Sequence, residues 1–354
     1  MNRFSFIIPV YNCGKYLPEC VRNIEKISLQ NYEILLIDDG STDGTTTICD
    51  ELACQNKNIR CCHQKNQGVS VARNRGEELS TGDYVIFLDA DDSIDPDKIY
   101  DLLKIVDSDQ NIDMVIFGMS FDYYYKGHQY RSDQLGVSLF GKLESSVWIE
   151  YIPELFAQNM ISPIWNKVIK RSILEENQLK FREDMFLYED LEFALRCMAC
   201  CNVICFSPEI IYHYRQAEDE GNAARRLQRI EHISMLIGQI ESALNELIKK
   251  QNVEASKEQI KKILVDLYLV LAREKISISS REEIHIICDD FAAWLDKSGI
   301  RIQEEQRAFV DCLLNRKVFY LIFKRDYIAV RHRIAVRVKN MKWYQKRKSG
   351  GRIW

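Results

Sequence analysis

Residues 83–92, Asp-Tyr-Val-Ile-Phe-Leu-Asp-Ala-Asp-Asp, pass from an apolar run into a cluster of three carboxylates. A short apolar run rich in β-branched and aromatic residues, with turn signals on both sides, predicts a buried strand of a parallel sheet, here over 84–88. Ligand sites in such sheets lie just beyond the carboxyl ends of the strands. Asp89, Asp91 and Asp92 would repel one another there, and a hard cation such as Mg²⁺ or Mn²⁺ is the usual remedy. The stretch therefore predicts a metal site with room for the phosphates of a nucleotide.

The chain before this stretch alternates between strand and helix patterns. Further strands are predicted at 5–10, 32–37 and 59–63, and helices at 15–29, 45–55 and from 66 to about 79. This alternation is typical of a doubly wound α/β sheet with mostly parallel strands. Right-handed crossovers bring the connecting loops to one edge of the sheet. We therefore expect Asp39, Arg73 and the acidic cluster to converge.

The chain after the acidic cluster predicts a less regular order of elements and then helices alone. Predicted strands lie at 113–118, 164–169, 203–206 and 210–214, with a tyrosine-rich hairpin or flap at 121–141. From 217 onward, apolar residues recur at helical spacing, without a catalytic motif. The predicted organisation is an α/β domain at 1–215, an all-helical region at 216–323 and a tail at 324–354. The helical region is expected to serve packing, docking or homodimerisation.

The tail is strongly basic, although the whole chain has a net charge of only −4. It holds about eleven Lys and Arg against one Asp, so it carries about +10 and the rest of the chain about −14. Residues 328–338 mix apolar and basic side chains, which on a helix would suit an anionic membrane surface. A solvated tail is the plain alternative. Nucleic acid is disfavoured as a partner, because the basic character is confined to this end.

Composition and cysteine use favour a globular protein in a reducing compartment. Hydrophobic residues make up 46% and charged residues 28% of the chain, as in ordinary globular domains. The 12 cysteines follow no recognisable leader sequence, so we expect reduced thiols and a cytoplasmic location. No run approaches the ~20 apolar residues of a membrane span.

Four motifs occur in order within the first 92 residues: IIPVYN at 7–12, IDDGSTDG at 37–44, NQGVSVARN at 66–74 and FLDADD at 87–92. Together they resemble the family 2 glycosyltransferases, which are inverting enzymes with a GT-A fold. The later WNK at 165–167 and YED at 188–190 resemble bacterial members that build cell-surface glycans. The resemblance covers residues 4–215 and leaves the helical region outside it.

The resemblance implies a role for each motif in binding a nucleotide-sugar donor. Tyr11 would stack on the base, beside Pro9, and Asp39 would accept a hydrogen bond from a uracil N–H. Arg73 would reach the diphosphate. In the acidic cluster, Asp89 would hold the ribose or a water, and Asp91, with Asp92, would bind Mg²⁺ or Mn²⁺.

Inversion further requires a general base, because the acceptor hydroxyl must lose its proton as it attacks. Asp190 matches the base position of the family, with Glu189 as the fallback. Trp165 would line the acceptor or sugar pocket, and His213 would contribute to the metal, diphosphate or sugar site.

Plainer interpretations exist for several of these residues. Asp39 could cap the following helix, and Arg73 could form an ordinary ion pair. The carboxylates of Glu189 and Asp190 could simply favour the N-terminus of a helix. His213 could be a structural histidine, and the acidic cluster could be a solvated turn.

The predicted function is inverting transfer of a sugar from a UDP-sugar to a surface glycan or lipid-linked acceptor, at the inner face of the plasma membrane. A sugar nucleotidyltransferase would need a glycine-rich phosphate loop, and residues 10–16 are not one. A dinucleotide oxidoreductase is disfavoured because no G-x-G-x-x-G follows the first strand. The alternative outside catalysis is a lapsed sugar-nucleotide-binding or scaffold module.

Overall fold

The computed structural model describes residues 2–125, 127–216, 232–251, 257–300, 302 and 304–316. The basic tail predicted at 324–354 lies outside these residues. Among them, no helix combines the length and apolar character needed to cross a membrane.

The described strands form one sheet in the order β3-β2-β1-β4-β9-β6-β10-β5, with β7 paired to β6 and β8 paired to β10. They are β1 Phe4–Val10, β2 Tyr32–Asp38, β3 Ile59–His63, β4 Tyr84–Phe87, β5 Ser93–Ile94, β6 Met114–Tyr125, β7 His128–Leu135, β8 Gly141–Glu144, β9 Lys167–Lys170 and β10 Val203–Gln216.

Helices cover the sheet and continue beyond it. They are α1 Leu17–Glu25, α2 Thr45–Gln55, α3 Val69–Leu79, α4 Pro96–Ser108, α5 Ser145–Trp148, α6 Ile152–Ala157, α7 Arg171–Glu176, α8 Glu189–Ala199, α9 Ile233–Lys250, α10 Lys257–Ile278, α11 Arg281–Ser298 and α12 Glu304–Leu314.

The first four strands of the order are parallel, and this half of the sheet confirms the predicted α/β fold class. β1 pairs with β2 and with β4, and β2 pairs with β3, all in parallel register. Because a helix connects each of these strands to the next in sequence, their carboxyl ends share one edge. That edge carries the loops after β1, β2 and β4.

The second half of the sheet is mixed, so the parallel arrangement expected for most of the sheet holds for part of it. β9 runs antiparallel between β4 and β6, and β5, β7 and β8 also pair antiparallel to their neighbours. β6 and β10 are parallel. β7 follows β6 through a tight connection rather than a crossover helix, and short connections produce antiparallel neighbours.

Close packing of α3 on the sheet depends on a glycine. A Cβ added to Gly76 would lie 2.3 Å from Ile7 Cγ2, on β1, and 3.3 Å from Ile37 Cγ1, on β2. Both isoleucines are fully buried. The missing side chain lets the helix that carries Arg73 lie directly on β1 and β2.

The described residues divide into two compact units. One contains the sheet and its helices through residue 216, together with residues 238–251 and 257–263. In the other, which contains residues 232–237, 264–300 and 304–316, Tyr268 packs against Phe291 and Trp294. Ser280 opens α11 with a capping box to Glu283. The domain boundaries predicted at 215/216 and 323/324 stay predictions.

Candidate active site

Arg73, on α3, lies between two acidic side chains from distant parts of the chain. Its Nη1 donates to Asp190 Oδ1 at 2.5 Å, and its Nη2 donates to Asp89 Oδ1 at 3.0 Å. The guanidinium is 5.3 Å from the centre of the Phe181 ring, and Arg73 is only 3% exposed. Burial alone would lower its pKa, but the charges of Asp190 and Asp89 raise it above the usual range. Arg73 therefore stays cationic and joins the loop after β4 to the start of α8.

The two bonds give Arg73 a role beside the diphosphate contact predicted for it. Its Nη1 and Nη2 set the positions of Asp190 and Asp89, while its Nε has no hydrogen-bond partner among the described residues. The contact with the diphosphate stays a prediction.

Asp190 has the properties of a general base held at a neutral pKa. It lies in the first turn of α8, and burial raises its pKa to about 7, with Arg73 opposing the rise and Glu189 and Asp89 adding to it. A base is most effective when its pKa lies near the working pH. Glu189 itself is 6% exposed, less accessible than Asp190.

Asp91 is the member of the acidic cluster most open to a ligand. The residue is exposed, and in the described part of the chain its carboxylate receives no hydrogen bond from another residue. Although the residue is exposed, partial desolvation of its carboxylate by the surrounding protein, together with the charge of Asp89, raises the pKa of Asp91 to about 6. A cation would relieve this raised potential, and oxygen ligands suit Mg²⁺ or Mn²⁺. Asp89 uses Oδ1 for Arg73, so its Oδ2 is the oxygen suited to a ligand.

Asp92 fits the predicted metal role least. It is 4% exposed, and Tyr212 O–H donates to its Oδ2 at 2.5 Å, while the Arg215 N–H donates to its Oδ1 at 2.7 Å. Burial, with the charges of Asp91 and Asp89, raises its pKa well above the usual range. Both oxygens therefore already have protein donors, and Asp92 anchors β10 to the acidic loop.

Tyr212 and Arg215 are site residues that the sequence motifs did not identify. The Asp89 N–H donates to Tyr212 Oη at 3.2 Å, so one hydroxyl links Asp89 to Asp92. Arg215 Nε donates to the Asp91 carbonyl at 3.0 Å.

The guanidinium of Arg215 is also held by two aromatic rings. It lies 4.3 Å from the centre of the Tyr124 ring and 5.1 Å from that of Tyr16. Its Nη2 is 3.4 Å from a carboxylate oxygen of Glu19, which is more than half exposed. β10 continues to Gln216 rather than ending at 214, so Arg215 lies within the strand. The alternation of Tyr212, Tyr214 and Gln216 with other polar residues was a sequence signal for this longer strand.

Asp39 organises the loop that precedes α3. Its Oδ1 accepts from Gln64 Nε2 at 2.8 Å and from the Gln67 N–H at 2.9 Å, and its Oδ2 accepts from the Gly68 N–H at 2.8 Å. Asp39 is 4% exposed. A carboxylate has about four acceptor positions, so little capacity is left for the predicted contact with a base. That contact stays a prediction.

The loop after β2 approaches this loop through a glycine. Gly40 has φ +73°, and a Cβ there would lie 2.9 Å from the Asn66 N atom. Glycine is therefore required at 40 by both the backbone angle and the close approach.

Trp165 belongs to an aromatic stack beside the acidic loop. Its ring centre lies 4.1 Å from that of Tyr212, with an interplanar angle of 15°, and 5.6 Å from that of Tyr214. The two residues after it are structural. Asn166 Nδ2 donates to the Phe117 carbonyl at 3.1 Å, and Lys167 Nζ donates to the Met160 carbonyl at 3.0 Å.

Lys167 is completely buried, and burial lowers its pKa to about 7 against the opposing charge of Asp190. Its other bonds go to the Pro163 carbonyl and Asn166 Oδ1. It therefore fastens the loop before β9 and holds Trp165 against Tyr212, rather than presenting a charge to a phosphate.

The remaining predicted residues lie at the same edge of the sheet. Tyr11 follows β1 and is 52% exposed, and Pro9 pairs with Ile37 of β2. His213 of β10 pairs with Ser93 of β5, and Ser93 directly follows Asp92 in the sequence. Its Nδ1 is 2.8 Å from Ser120 Oγ and 3.5 Å from an oxygen of Asp122, so Nε2 is the nitrogen suited to a ligand.

Two cavities lie away from this edge. One, of about 170 Å³, is lined by residues that include Asp83 and Tyr84 at the start of β4. The other, of about 470 Å³, is lined by residues that include Asp113 before β6. Neither is lined by a predicted site residue, so the open loops at the carboxyl ends of the strands remain the candidate site.

Comparison with known proteins identifies similar sequences and folds. Residues 5–177 match the family described as Glycosyl transferase family 2. The chain is 29% identical over 213 residues to the putative glycosyltransferase EpsH of Bacillus subtilis, with 60% of each chain covered. It therefore spans about 60% of the length of that relative.

Solved structures share the architecture. A crystal structure of S. aureus TarS 1–349 in complex with UDP matches with a TM-score of 0.54 and 17% identity, over 92% of this chain and 91% of that one. A mannosyltransferase, PcManGT from Pyrobaculum calidifontis, in complex with GDP-Man and Mn²⁺, matches with a TM-score of 0.50 and 16% identity, over 92% and 87%. At these identities the likeness establishes the fold alone, and it confirms the predicted GT-A architecture.

Proposed function

We propose that this chain, which belongs to glycosyl transferase family 2 through residues 5–177, transfers a sugar from a nucleotide sugar to an acceptor hydroxyl with inversion. The observation that carries the proposal is the pair of bonds from Arg73 to Asp89 and Asp190. This link joins the donor side of the site, at the end of β4, to a carboxylate suited to act as base.

The proposed donor is a UDP-sugar. The TarS structure with UDP supports this choice by analogy of fold. The exposed Tyr11 ring offers a stacking surface for a base at the end of β1. The Asp39 N–H donates to the carbonyl of Val10, the residue before Tyr11, at 2.8 Å. Asp39 has three protein donors, and its remaining acceptor position is assigned to the uracil N–H.

The proposed metal is Mg²⁺ or Mn²⁺, held by Asp91 with Asp89 Oδ2, and His213 Nε2 is a further candidate ligand. The open carboxylate of Asp91 and its raised pKa support this choice, as does the Mn²⁺ in the PcManGT structure. When bound, the ion would stabilise the charge that develops on the leaving diphosphate. Arg215 lies at the same loop and supplies a second positive charge.

Asp190 is the proposed general base. As the acceptor oxygen bonds to the anomeric carbon, the bond from that carbon to the diphosphate oxygen breaks, and the acceptor proton passes to Asp190. Arg73 fixes the orientation of Asp190 through its Nη1. Trp165, stacked on Tyr212, would offer a flat apolar surface to a sugar ring.

The proposed acceptor is a surface glycan or a lipid-linked glycan at the cytoplasmic face of the plasma membrane. The support is the sequence resemblance to bacterial surface-glycan enzymes and the net charge of about +10 in residues 324–354, which suits anionic lipid. Homodimerisation through the predicted helical region belongs to the same proposal.

A panel of nucleotide sugars, with and without Mn²⁺, tests this function through release of the nucleoside diphosphate. Metal-dependent release from a UDP-sugar, abolished in Asp190→Asn while UDP still binds, is the expected result. Binding of UDP without any turnover of the donors would instead favour the lapsed scaffold, and equal turnover in Asp190→Asn would exclude Asp190 as the base.

A further inference from the structure

A second cluster of potential metal ligands lies on the far side of β2 from the acidic loop. Cys61 and His63 are two residues apart on β3, so their side chains share one face of the strand. Asp50, on α2, meets them there, and the ligand atoms of the three residues all lie within 4.8 Å of one another. None of these residues has a part in the proposed transfer reaction.

The distances within this cluster are close to those of a tetrahedral zinc site. His63 Nε2 is 3.0 Å from Asp50 Oδ1 and 3.5 Å from Cys61 Sγ. With Zn–N of about 2.0–2.1 Å and Zn–S of about 2.3 Å, tetrahedral ligand atoms lie about 3.3–3.6 Å apart, so the exposed Asp50 side chain would move away from His63 by about 0.3 Å. A single ion could therefore contact all three without rearrangement of the backbone.

An independent feature orients the histidine as a ligand. His63 Nδ1 bonds to Asp38 Oδ2 at 2.8 Å, and the Asp38 side chain is 2% exposed. In a histidine that binds metal, the N–H of the second ring nitrogen usually donates a hydrogen bond to a carboxylate. This bond fixes the tautomer and raises the basicity of the nitrogen that binds the metal. Asp38 itself is held by Ser41 and Thr46, so this supporting carboxylate has a defined position.

The cluster supplies one thiolate, one imidazole and one carboxylate. A thiolate and an imidazole together favour zinc over the hard cations suited to the acidic loop. Cys49, which precedes Asp50 on α2 and is fully buried, lies outside this three-residue cluster.

We propose that Asp50, Cys61 and His63 bind a zinc ion that ties α2 to β3. Three protein ligands leave the fourth position of a tetrahedral ion to a water molecule. Through His63 and Asp38 it also stabilises the end of β2, immediately before Asp39. The exposed carboxylate of Asp50, 61% accessible, leaves an entry path for the ion.

The test uses the full chain, first treated with chelator, without nucleotide or Mn²⁺. Metal content after incubation with Zn²⁺ and dialysis gives the stoichiometry, and Co²⁺ substitution reports thiolate ligation through its absorption bands. About one zinc per chain and a cobalt–thiolate spectrum are expected. The matched variants are Cys61→Ser and Cys62→Ser, because Cys62 is the next residue on β3 and faces the opposite side of the strand.

Cys61→Ser should lose the cobalt–thiolate bands and weaken zinc binding by at least about tenfold, and Cys62→Ser should match the parent. Absence of stoichiometric zinc in the parent chain would overturn the site, leaving His63 as an imidazolium paired with Asp38 and Asp50. The transfer reaction does not enter these measurements, so failure here is separate from failure of the proposed function.

Discussion

Arg73 Nη1 and Asp190 Oδ1 are 2.5 Å apart, although 117 positions separate the two residues in sequence. The same guanidinium holds Asp89 through Nη2. Because both carboxylates depend on one buried cation, the donor side and the proposed base cannot shift independently. Substitution of Arg73 can therefore test how this link contributes to catalysis.

Replacement of Arg73 by Lys should lower kcat/KM by about 10–100-fold, because an ammonium cannot bond to both carboxylates in the planar geometry of a guanidinium. Steady-state kinetics with the donor identified in the panel measures the loss. Arg75→Lys is the control, since Arg75 lies on the same helix and makes only an exposed pair with Glu78. Equal effects in the two variants would exclude a specific role for Arg73.

The pH profile of kcat/KM should fall as pH decreases through about 7. The base must be deprotonated to accept a proton, and burial raises the pKa of Asp190 to about 7. Arg73 lowers that pKa, so Arg73→Gln should move the acidic limb to higher pH. An acidic limb near the ordinary aspartate pKa of about 4 would contradict this assignment.

Asp91 and Asp92 should respond differently to substitution. Asp91→Asn should remove the Mn²⁺-dependent gain in UDP affinity and leave the melting temperature unchanged, because its carboxylate is exposed and bonds to no other described residue. Calorimetric titration of UDP with and without Mn²⁺ measures the gain. A full metal effect in Asp91→Asn would exclude Asp91 as a ligand.

Asp92→Ala should instead destabilise the fold by about 1–3 kcal/mol, since it leaves the buried Tyr212 hydroxyl without an acceptor and removes the acceptor of the part-buried Arg215 N–H. Denaturant unfolding measures the change. Unaltered stability in this variant would show that the bonds of Asp92 contribute little, and would reopen its predicted metal role.

Asn74→Ala should also destabilise the protein, by about 2–3 kcal/mol. The Asn74 amide donates to the Phe181 carbonyl at 2.9 Å and accepts from the Phe181 N–H at 2.8 Å, with all these groups buried. The control is Asn111→Ala, because Asn111 is exposed. Phe181 packs against Phe193 of α8, the helix whose first turn contains Asp190, so the Asn74 variant should lose activity as well as stability. Stability equal to that of the control would contradict this role.

The sequence predicted the parallel half of the sheet because its signals are local. Residues 84–88 form a continuous apolar run, and 32–37 is interrupted only by Glu33. The polar loops after these strands mark the edge where Asp39 and the acidic cluster lie. The mixed second half was less accessible, because the pairing of β9 between β4 and β6 depends on contacts between distant segments. The hydrophobic periodicity and the composition of a strand do not show which other strand it pairs with in the sheet.

The sequence indicated the candidate site residues but not their partners in the fold. Asp89, Asp91 and Asp92 are the same residue type within four positions, and only the path of the backbone makes one exposed and another buried. Arg73 was correctly expected near the acidic cluster, but its bond to Asp190 requires the placement of α8. Arg215 carried no motif, and its position beside Asp91 follows from the length of β10.

The stereochemistry of donor hydrolysis tests the central claim most directly. With water as acceptor, proton NMR of the first sugar released from a UDP-α-sugar should show the β anomer, and Asp190→Asn should release none while still binding UDP. Release of the α anomer, or turnover in Asp190→Asn equal to that of the parent, would contradict inverting transfer with Asp190 as the base.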